Sequence, residues 1–173
     1  LTIAASQNPE EKNYWVNRMS DFPGCVSLPY DSPYDSPNHR KQDPRKHHPN
    51  TQKLETTLST GLTERLLAIS KKSPHRIHMM LCTGLLLLLN KYTCRDDITI
   101  GIPTYKQNVE GRLLNTALAI REHIDANSSF KEFLIKVSKT VFDADKHQNF
   151  PLSTLPYKLG IQKGEAGFPL FDS

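Results

Sequence analysis

The chain has 173 residues, of which 37% are hydrophobic and 23% charged, enough to bury one core but too few for two full domains. Its 22 Lys and Arg against 18 Asp and Glu leave a net charge of +4, a weaker and less clustered bias than a dedicated nucleic-acid binder carries. The most apolar run, Met79–Leu89, is 11 residues long, whereas a membrane span needs about 20. Composition therefore argues against a nucleic-acid partner and against a membrane partner.

The cysteines and the first residues indicate the compartment. Three cysteines stand at 25, 82 and 94 without a CxxC pair, which favours a reducing cytoplasm over a disulfide framework. The chain starts at Leu1 without a Met, and no basic-then-apolar export signal follows. We expect a piece of a longer polypeptide that works in the cytoplasm.

The first third of the chain predicts a short helix and a long loop. Residues 10–20 place Tyr14, Trp15 and Met19 on one side of a helix that Pro23-Gly24 ends. Residues 29–50 contain five prolines and a basic stretch, so we expect a Pro-rich basic loop. Because no aromatic residue lies among these charges, a solvated loop is favoured over a phosphate- or RNA-binding arm.

The middle of the chain predicts a strand and two helices. Thr51–Leu58 suits a strand, and a helix follows over Leu62–Lys72. Ser73-Pro74 then caps a second helix that runs to about Tyr92. The second half of this helix is apolar nearly all round, so we expect it to be buried between layers.

The last part predicts two strands and a long amphipathic helix. Asp97–Pro103 is one strand and Asn115–Ile124 another, with a polar surface connection over residues 104–113. Ser129 and Glu132 fit a capping box that opens the helix. Its predicted buried face consists of Phe130, Phe133, Leu134, Val137 and Val141.

The chain then predicts a stop, a short helix and a tail. His147–Pro151 ends the long helix, a short helix follows over Leu152–Leu159, and the apolar tail Phe168–Phe171 has no visible partner. The order of elements predicts an α/β fold, more closely an α+β mixed sheet with helices packed on it, and one partial domain over residues 1–173.

The residues contain no complete active site. GxGxxG, GxxxxGK[ST] and GxSxG are all absent, which argues against nucleotide sites and a nucleophile elbow. His75, His78 and Cys82 could share a helix face, but zinc would need a fourth ligand, so we predict no metal. His47-His48 could act as a base, yet the pair lies in the proline-flanked basic loop. We predict no catalytic residue in this chain.

Several segments, in order along the chain, resemble the C-terminal lobe of condensation domains from nonribosomal peptide synthetases. The most specific is Asp96–Pro103, similar to the family's "DDIxxGxP" strand. Asn115–Arg121 resembles "NTLxLR", and His147–Pro151 resembles the "HQxxPF" ending of the long helix. Weaker likenesses cover Tyr14-Trp15, Leu28–Pro33, Leu62–Leu66, Leu87–Thr93, Ser129–Leu134 and Pro169–Phe171.

This resemblance implies a chloramphenicol-acetyltransferase-like fold, in which two lobes of sheet and helix form a V. Two carrier proteins bring substrates, held as thioesters on phosphopantetheine arms, into a tunnel between the lobes, where an amine attacks the thioester and forms an amide. No cofactor is expected to bind this chain directly. The HHxxxDG histidines belong to the N-terminal lobe, and Gln52 and Lys53 stand where His47-His48 would need Asp and Gly.

The resemblance carries two residues onto the tunnel wall. Asn115 takes the place of the strand Asn near the tunnel, and Arg121 ends that strand. Asn115 could instead cap the turn of the strand, and Arg121 could instead pair on the surface. Lys106-Gln107 replace the usual Gly-Arg, and the connection to Asn115 is short, which indicates a divergent subtype. Gly101 and Pro103 are interpreted as fold-defining.

Two functions are favoured at this stage, and a basic nucleic-acid adaptor is a third and weaker interpretation. The first is one lobe of a bacterial amide-forming enzyme, inactive alone, whose partners are the N-terminal lobe and two carrier proteins. The second is a non-catalytic platform that binds a carrier protein or the neighbouring adenylation domain. In both cases a basic group in the loop would attract an acidic carrier protein, namely Arg40, Lys41, Arg45 and Lys46.

Overall fold

The structure is a computed structural model that describes residues 8–26, 55–104, 114–161 and 169–171. The chain divides into two compact units, residues 1–28 with 79–173, and residues 29–78. The single partial domain over 1–173 stays a prediction, and the loop 29–50 lies outside the described residues.

The elements are α1 (Pro9–Arg18), α2 (Thr60–Ser70), α3 (Pro74–Thr93), β1 (Asp97–Pro103), β2 (Ala117–His123), α4 (Phe130–Lys146), a 3₁₀ turn (Leu152–Thr154) and α5 (Leu155–Lys158).

The described sheet is an antiparallel pair of strands. Asp97 of β1 lies opposite His123 of β2, and Pro103 lies opposite Ala117. Three successive residues in the middle of each strand are buried, so both faces of the sheet are covered. The sheet therefore lies inside the core, which also contains Trp15 of α1 and Met19, the residue that follows this helix.

The two amphipathic helices that flank the sheet begin at side-chain caps. The Asn8 side chain accepts a hydrogen bond from the Glu10 backbone N–H, with Pro9 as the first residue of α1. Ser129 and Glu132 form the predicted capping box at α4. Phe133, Val137 and Val141 are buried as predicted, but Phe130 is 48% exposed. Phe130 is the first residue of α4, and the side chains of this helix that pack on the core begin only at Phe133.

The predicted strand Thr51–Leu58 is wrong where the structure describes it. Residues 55–58 form neither strand nor helix and are exposed, while residues 51–54 lie outside the described residues. The Ser59 hydroxyl accepts a hydrogen bond from the Leu62 backbone N–H, so the chain enters α2 directly.

Helix α2 lies two residues earlier than predicted. It spans Thr60–Ser70, and it stops because Lys71 and Lys72 adopt left-handed backbone angles with φ of 52° and 57°. The next helix starts where the sequence predicts, since Pro74 is its first residue and the Ser73 hydroxyl accepts a hydrogen bond from the Arg76 N–H.

Two predictions of burial are wrong. Helix α3 is not covered all round: Leu86 and Leu89 are buried, whereas Leu81 and Leu88 are exposed, because only one face of the helix packs on the core. The tail, in turn, does have a partner. Leu170 is fully buried, and Phe171 packs over Gly101 of β1 at a distance that only a residue without Cβ permits.

Candidate functional site

Asn115, predicted to line the tunnel, is buried just before β2 and uses its side-chain amide inside the protein. Its Nδ2 donates to the backbone oxygens of Gln148 and Phe150, both at 2.7 Å. Its Oδ1 accepts from the Leu152 N–H at 2.9 Å. The amide therefore ties the entry to β2 to the turn after α4.

Helix α1 braces the same turn. The Tyr14 ring stacks on the His147 ring, with centroids 4.0 Å apart and planes 6° from parallel. Trp15 Nε1 donates to the His147 backbone oxygen at 2.7 Å. His147 Nδ1 lies 2.7 Å from the Asp143 backbone oxygen, so it acts as a donor to the last turn of α4. We call Asn115, Glu11, Tyr14, Trp15 and residues 147–152 the turn cluster.

Glu11 is the titratable acid of the turn cluster. Burial raises the pKa of its carboxyl group, while the His147 charge and a hydrogen bond from the Phe150 backbone act in the opposite direction. Within the described residues, its Oε2 is buried without a hydrogen-bond partner. Burial also raises the pKa of Tyr14 to about 12, so the phenol stays neutral at physiological pH.

Arg121, the second predicted tunnel residue, joins β2 to β1 and to the end of α1. Its Nε and Nη2 donate to the two carboxylate oxygens of Asp97 at 2.8 and 2.6 Å. Its Nη1 and Nη2 donate to the backbone oxygens of Ser20 and Asp21 at 2.5 and 3.1 Å. The hydrogen bonds to Asp97 raise the pKa of Arg121 further. Arg121 thus pairs as the alternative interpretation expected, although its side chain is mostly buried.

A buried glutamate on β2 was missed by the sequence analysis. The Glu122 carboxylate forms ion pairs with Arg18 Nη2 at 3.0 Å and with Lys136 Nζ at 3.3 Å. It also accepts a hydrogen bond from the Thr140 hydroxyl. A buried carboxylate needs such partners, and here they come from α1 and α4. The alternation of side chains along β2 could have predicted this burial, because Glu122 is two residues from the apolar Ile120 and so lies on the same face of the strand.

These contacts hold elements together and show no assembled reaction centre in the part of the chain that the structure describes. No group of three or more His, Cys, Asp or Glu among residues 8–26, 55–104, 114–161 and 169–171 is placed to hold a metal ion. None of the described helices is long and apolar enough to cross a membrane. His47-His48, Lys106-Gln107 and the four basic residues Arg40, Lys41, Arg45 and Lys46 lie outside the described residues.

Comparison with known families gives the chain its identity. The family model described as "Condensation domain" matches residues 2–173. The chain belongs to the condensation-domain family. This confirms the resemblance to nonribosomal peptide synthetase condensation domains on which the sequence analysis relied.

The relatives are large synthases of which this condensation-domain chain spans a small part. It is 30% identical over 172 residues to Gramicidin S synthase 2 of Brevibacillus brevis, which covers 95% of this chain and 4% of the relative. It is 33% identical over 122 residues to Surfactin synthase subunit 1 of Bacillus subtilis, which covers 67% of this chain and 3% of the relative.

Solved structures confirm the predicted α/β, acetyltransferase-like lobe. The X-domain from teicoplanin biosynthesis matches with a TM-score of 0.65 at 18% identity, over 97% of this chain and 37% of that one. The X-domain in its complex with OxyB matches with a TM-score of 0.70 at 17% identity, over 98% and 37%. At these identities the likeness concerns the fold alone. This condensation-domain chain covers little more than a third of the length of each matched X-domain chain.

Proposed function

We propose that the chain is the C-terminal lobe of an amide-forming condensation domain and is inactive alone. The observation that carries this proposal is the family match over residues 2–173 together with the absence of HHxxxDG from the sequence. The proton-handling histidine then belongs to the N-terminal lobe. There it takes a proton from the acceptor amine, whose nitrogen attacks the donor thioester. A C–N bond forms, the C–S bond breaks, and the proton passes to the leaving sulfur, which departs as a thiol.

In this proposal the lobe supplies one wall of the tunnel. Asn115 and Arg121 belong to that wall, but both side chains are already bonded inside the protein. Their proposed contribution is therefore to keep the wall rigid around the substrate, because misplacing reacting groups by about 1 Å is costly. Neither residue is proposed to touch the reacting atoms.

The proposed partners follow from the reaction. Carrier proteins deliver substrates on phosphopantetheine arms in a bacterial cytoplasm, and an adenylation domain is the proposed neighbour. Arg40, Lys41, Arg45 and Lys46 would attract an acidic carrier by long-range charge.

A second function is a platform without chemistry. It is favoured by the likeness to the X-domain, because one of the matched structures is a complex of that domain with another protein, OxyB. In this case the lobe would bind a carrier protein or the adenylation domain and form no amide.

Reconstitution of the reaction tests the proposed function. Two loaded carrier proteins are mixed with this chain alone, and then with this chain and the N-terminal lobe of its parent polypeptide, and the peptide product is measured by mass spectrometry. We expect product only in the second mixture. Product from the chain alone would contradict the division of labour, and carrier binding without product in the second mixture would favour the platform.

The carrier contact has its own test. A carrier protein is titrated into the wild-type chain and into a variant with Arg40, Lys41, Arg45 and Lys46 changed to Gln, at low and at high salt. We expect the variant to bind more weakly and with less salt dependence. A control variant neutralises the same number of exposed lysines elsewhere, namely Lys131, Lys139, Lys146 and Lys158. Equal losses in both variants would contradict a specific contact at the loop.

A further inference from the structure

The contact between α1 and the turn after α4 buries a carboxyl group that is only partly satisfied. Glu11 is 9% exposed, although acids are almost never buried unless they are paired. The Phe150 backbone donates a hydrogen bond to the carboxyl group, but within the described residues Oε2 is buried and accepts none. An ionised Glu11 is therefore costly in this contact unless a positive charge balances it.

His147 can provide that positive charge. It acts on the Glu11 carboxyl group as a cation and favours the ionised form. Its ring is held in place, because Nδ1 donates to the Asp143 backbone oxygen and the Tyr14 ring stacks on it with centroids 4.0 Å apart. Since Nδ1 already carries a hydrogen, Nε2 is the nitrogen that takes up and releases the second proton. His147 is also the C-cap of α4, a position that favours a positive charge.

The other ionisable groups around this contact do not replace His147. Those on α1, α4 and β2 that act on Glu11 or Tyr14 are acidic or already paired, namely Glu10, Asp143, and the ion pair of Glu122 with Arg18. Lys146 of α4 lies over the Phe142 ring, with Nζ 4.3 Å from the ring centroid. On α5, which packs against α1, the ionisable groups are exposed, namely Tyr157 and Lys158.

We propose that Glu11 and His147 make the contact of α1 with the turn after α4 a pH-dependent latch, which is fastened at acidic pH and loosens as the pH rises. At acidic pH, Glu11 is either neutral or balanced by protonated His147. As the pH rises, Glu11 ionises and His147 loses its proton, so the buried carboxylate is left without a counter-charge. Both steps have the same sign, because each makes the buried contact more negative.

Loosening of the latch reaches the sheet. The Asn115 side chain joins the same turn to the entry to β2 through hydrogen bonds to the backbone of Gln148, Phe150 and Leu152. The turn is therefore held from two sides, by Asn115 and by α1. The latch concerns the fold of this chain and does not depend on the proposed amide formation.

The single tryptophan of the chain, Trp15, reports on the latch. Its Nε1 donates to the His147 backbone oxygen at 2.7 Å, so exchange of the indole hydrogen with solvent measures opening of this contact. Exchange in the full 173-residue chain is followed by NMR at several pH values. The indole hydrogen of free N-acetyltryptophanamide corrects for the intrinsic pH dependence. The backbone amide of Ile120, buried in the middle of β2, is measured alongside and reports on opening of the core.

In the wild-type chain, protection of the Trp15 indole should fall at least threefold, as an order of magnitude for local opening, between about pH 5 and pH 8. Protection of the Ile120 amide should fall less over the same range. Constant protection at Trp15 would contradict the latch. Equal losses at Trp15 and Ile120 would contradict it as well, because they would show opening of the whole core.

Two variants should keep the latch fastened at high pH. Glu11→Gln removes the buried charge, and His147→Arg keeps a positive charge that can stack on Tyr14 at every pH in the range. Each should hold the protection of Trp15 within about twofold between pH 5 and pH 8. His123→Gln, at an exposed histidine of β2, is the control and should follow the wild type. Because both variants are expected to gain protection at pH 8, loss of folding cannot produce the result.

Coupling between the two residues completes the test. At about pH 6, His147→Gln should lower the protection of Trp15 when Glu11 is present and should lower it less in the Glu11→Gln background. Equal effects in the two backgrounds would overturn the proposal. A fall with pH in Glu11→Gln or His147→Arg as steep as in the wild type would overturn it too.

Discussion

Asn115 shows how much one buried amide can hold. Three hydrogen bonds of its side chain join the entry to β2 with the turn at 148–152, and all three partners are backbone groups. The resemblance to condensation domains identified the residue, but the sequence could not show where its amide points.

Asn115→Ala should destabilise the protein by about 2–3 kcal/mol, because buried backbone groups would lose their partners. Urea unfolding followed by circular dichroism measures the change. Asn149→Ala, an exposed asparagine of the same turn, serves as the control and should stay within about 0.5 kcal/mol of wild type. Equal effects of the two substitutions would contradict the bracing role.

Glu11 makes stability depend on pH. Because burial raises the pKa of Glu11 above its ordinary value of 4.5, the native state binds this proton more tightly than the unfolded chain does. The stability that the protonated form contributes is present below the unfolded pKa and is lost as pH rises through the folded pKa.

Glu11→Gln should therefore raise the unfolding free energy at pH 7, and its advantage should shrink toward pH 4. Urea unfolding at several pH values measures both. Glu64→Gln, at an exposed acid in the middle of α2, is the control and should stay within about 0.5 kcal/mol of wild type. An unchanged pH dependence in Glu11→Gln would show that this carboxyl group is not the one that titrates.

At the scale of elements, caps predict helices well and neighbours decide burial. The starts of α3 and α4 follow from Ser73-Pro74 and from Ser129 with Glu132, which act within a few residues of chain. The strand predicted at 51–58 fails over residues 55–58, because β propensity is realised only where another strand is available. The prediction that α3 is buried all round was wrong for a similar reason. The number of neighbouring elements that cover a helix depends on the tertiary structure and not on the sequence of the helix itself.

The capping box of α4 is a prediction at this scale. Ser129→Ala should cost about 1 kcal/mol of unfolding free energy, because the Glu132 backbone N–H and the Glu132 carboxylate both lose a partner. The exposed Ser153→Ala is the control. In a double-mutant cycle, Glu132→Gln should cost less in the Ser129→Ala background than in wild type; strict additivity would contradict coupling of the two side chains.

At the scale of the whole molecule, the tail and β1 depend on each other. A Cβ at Gly101 would lie 2.8 Å from Cζ of Phe171 and closer still to other ring atoms. Gly101 and Phe171 are 70 positions apart in sequence, yet the Phe171 ring occupies the space that a side chain at position 101 would fill.

Gly101→Ala should destabilise the protein by about 1–3 kcal/mol by displacing the Phe171 ring. In a Phe171→Ala background the same substitution should cost much less, as a double-mutant cycle by urea unfolding would show. Gly61→Ala in exposed α2 is the control and should stabilise by up to about 1 kcal/mol. A Gly101→Ala cost that is the same in both backgrounds would contradict the shared volume.

The amino-acid sequence alone determined the class of fold, most helix and strand positions and the condensation-domain family, because periodicity, caps and motifs act over short stretches of chain. Only the tertiary structure decided that Asn115 and Arg121 are bonded inside the protein, that Glu122 is a buried acid with three partners, and that α3 leaves Leu81 and Leu88 exposed. Each of these depends on which distant residues meet across the sheet, and burial and pairing follow from that meeting, not from the local pattern.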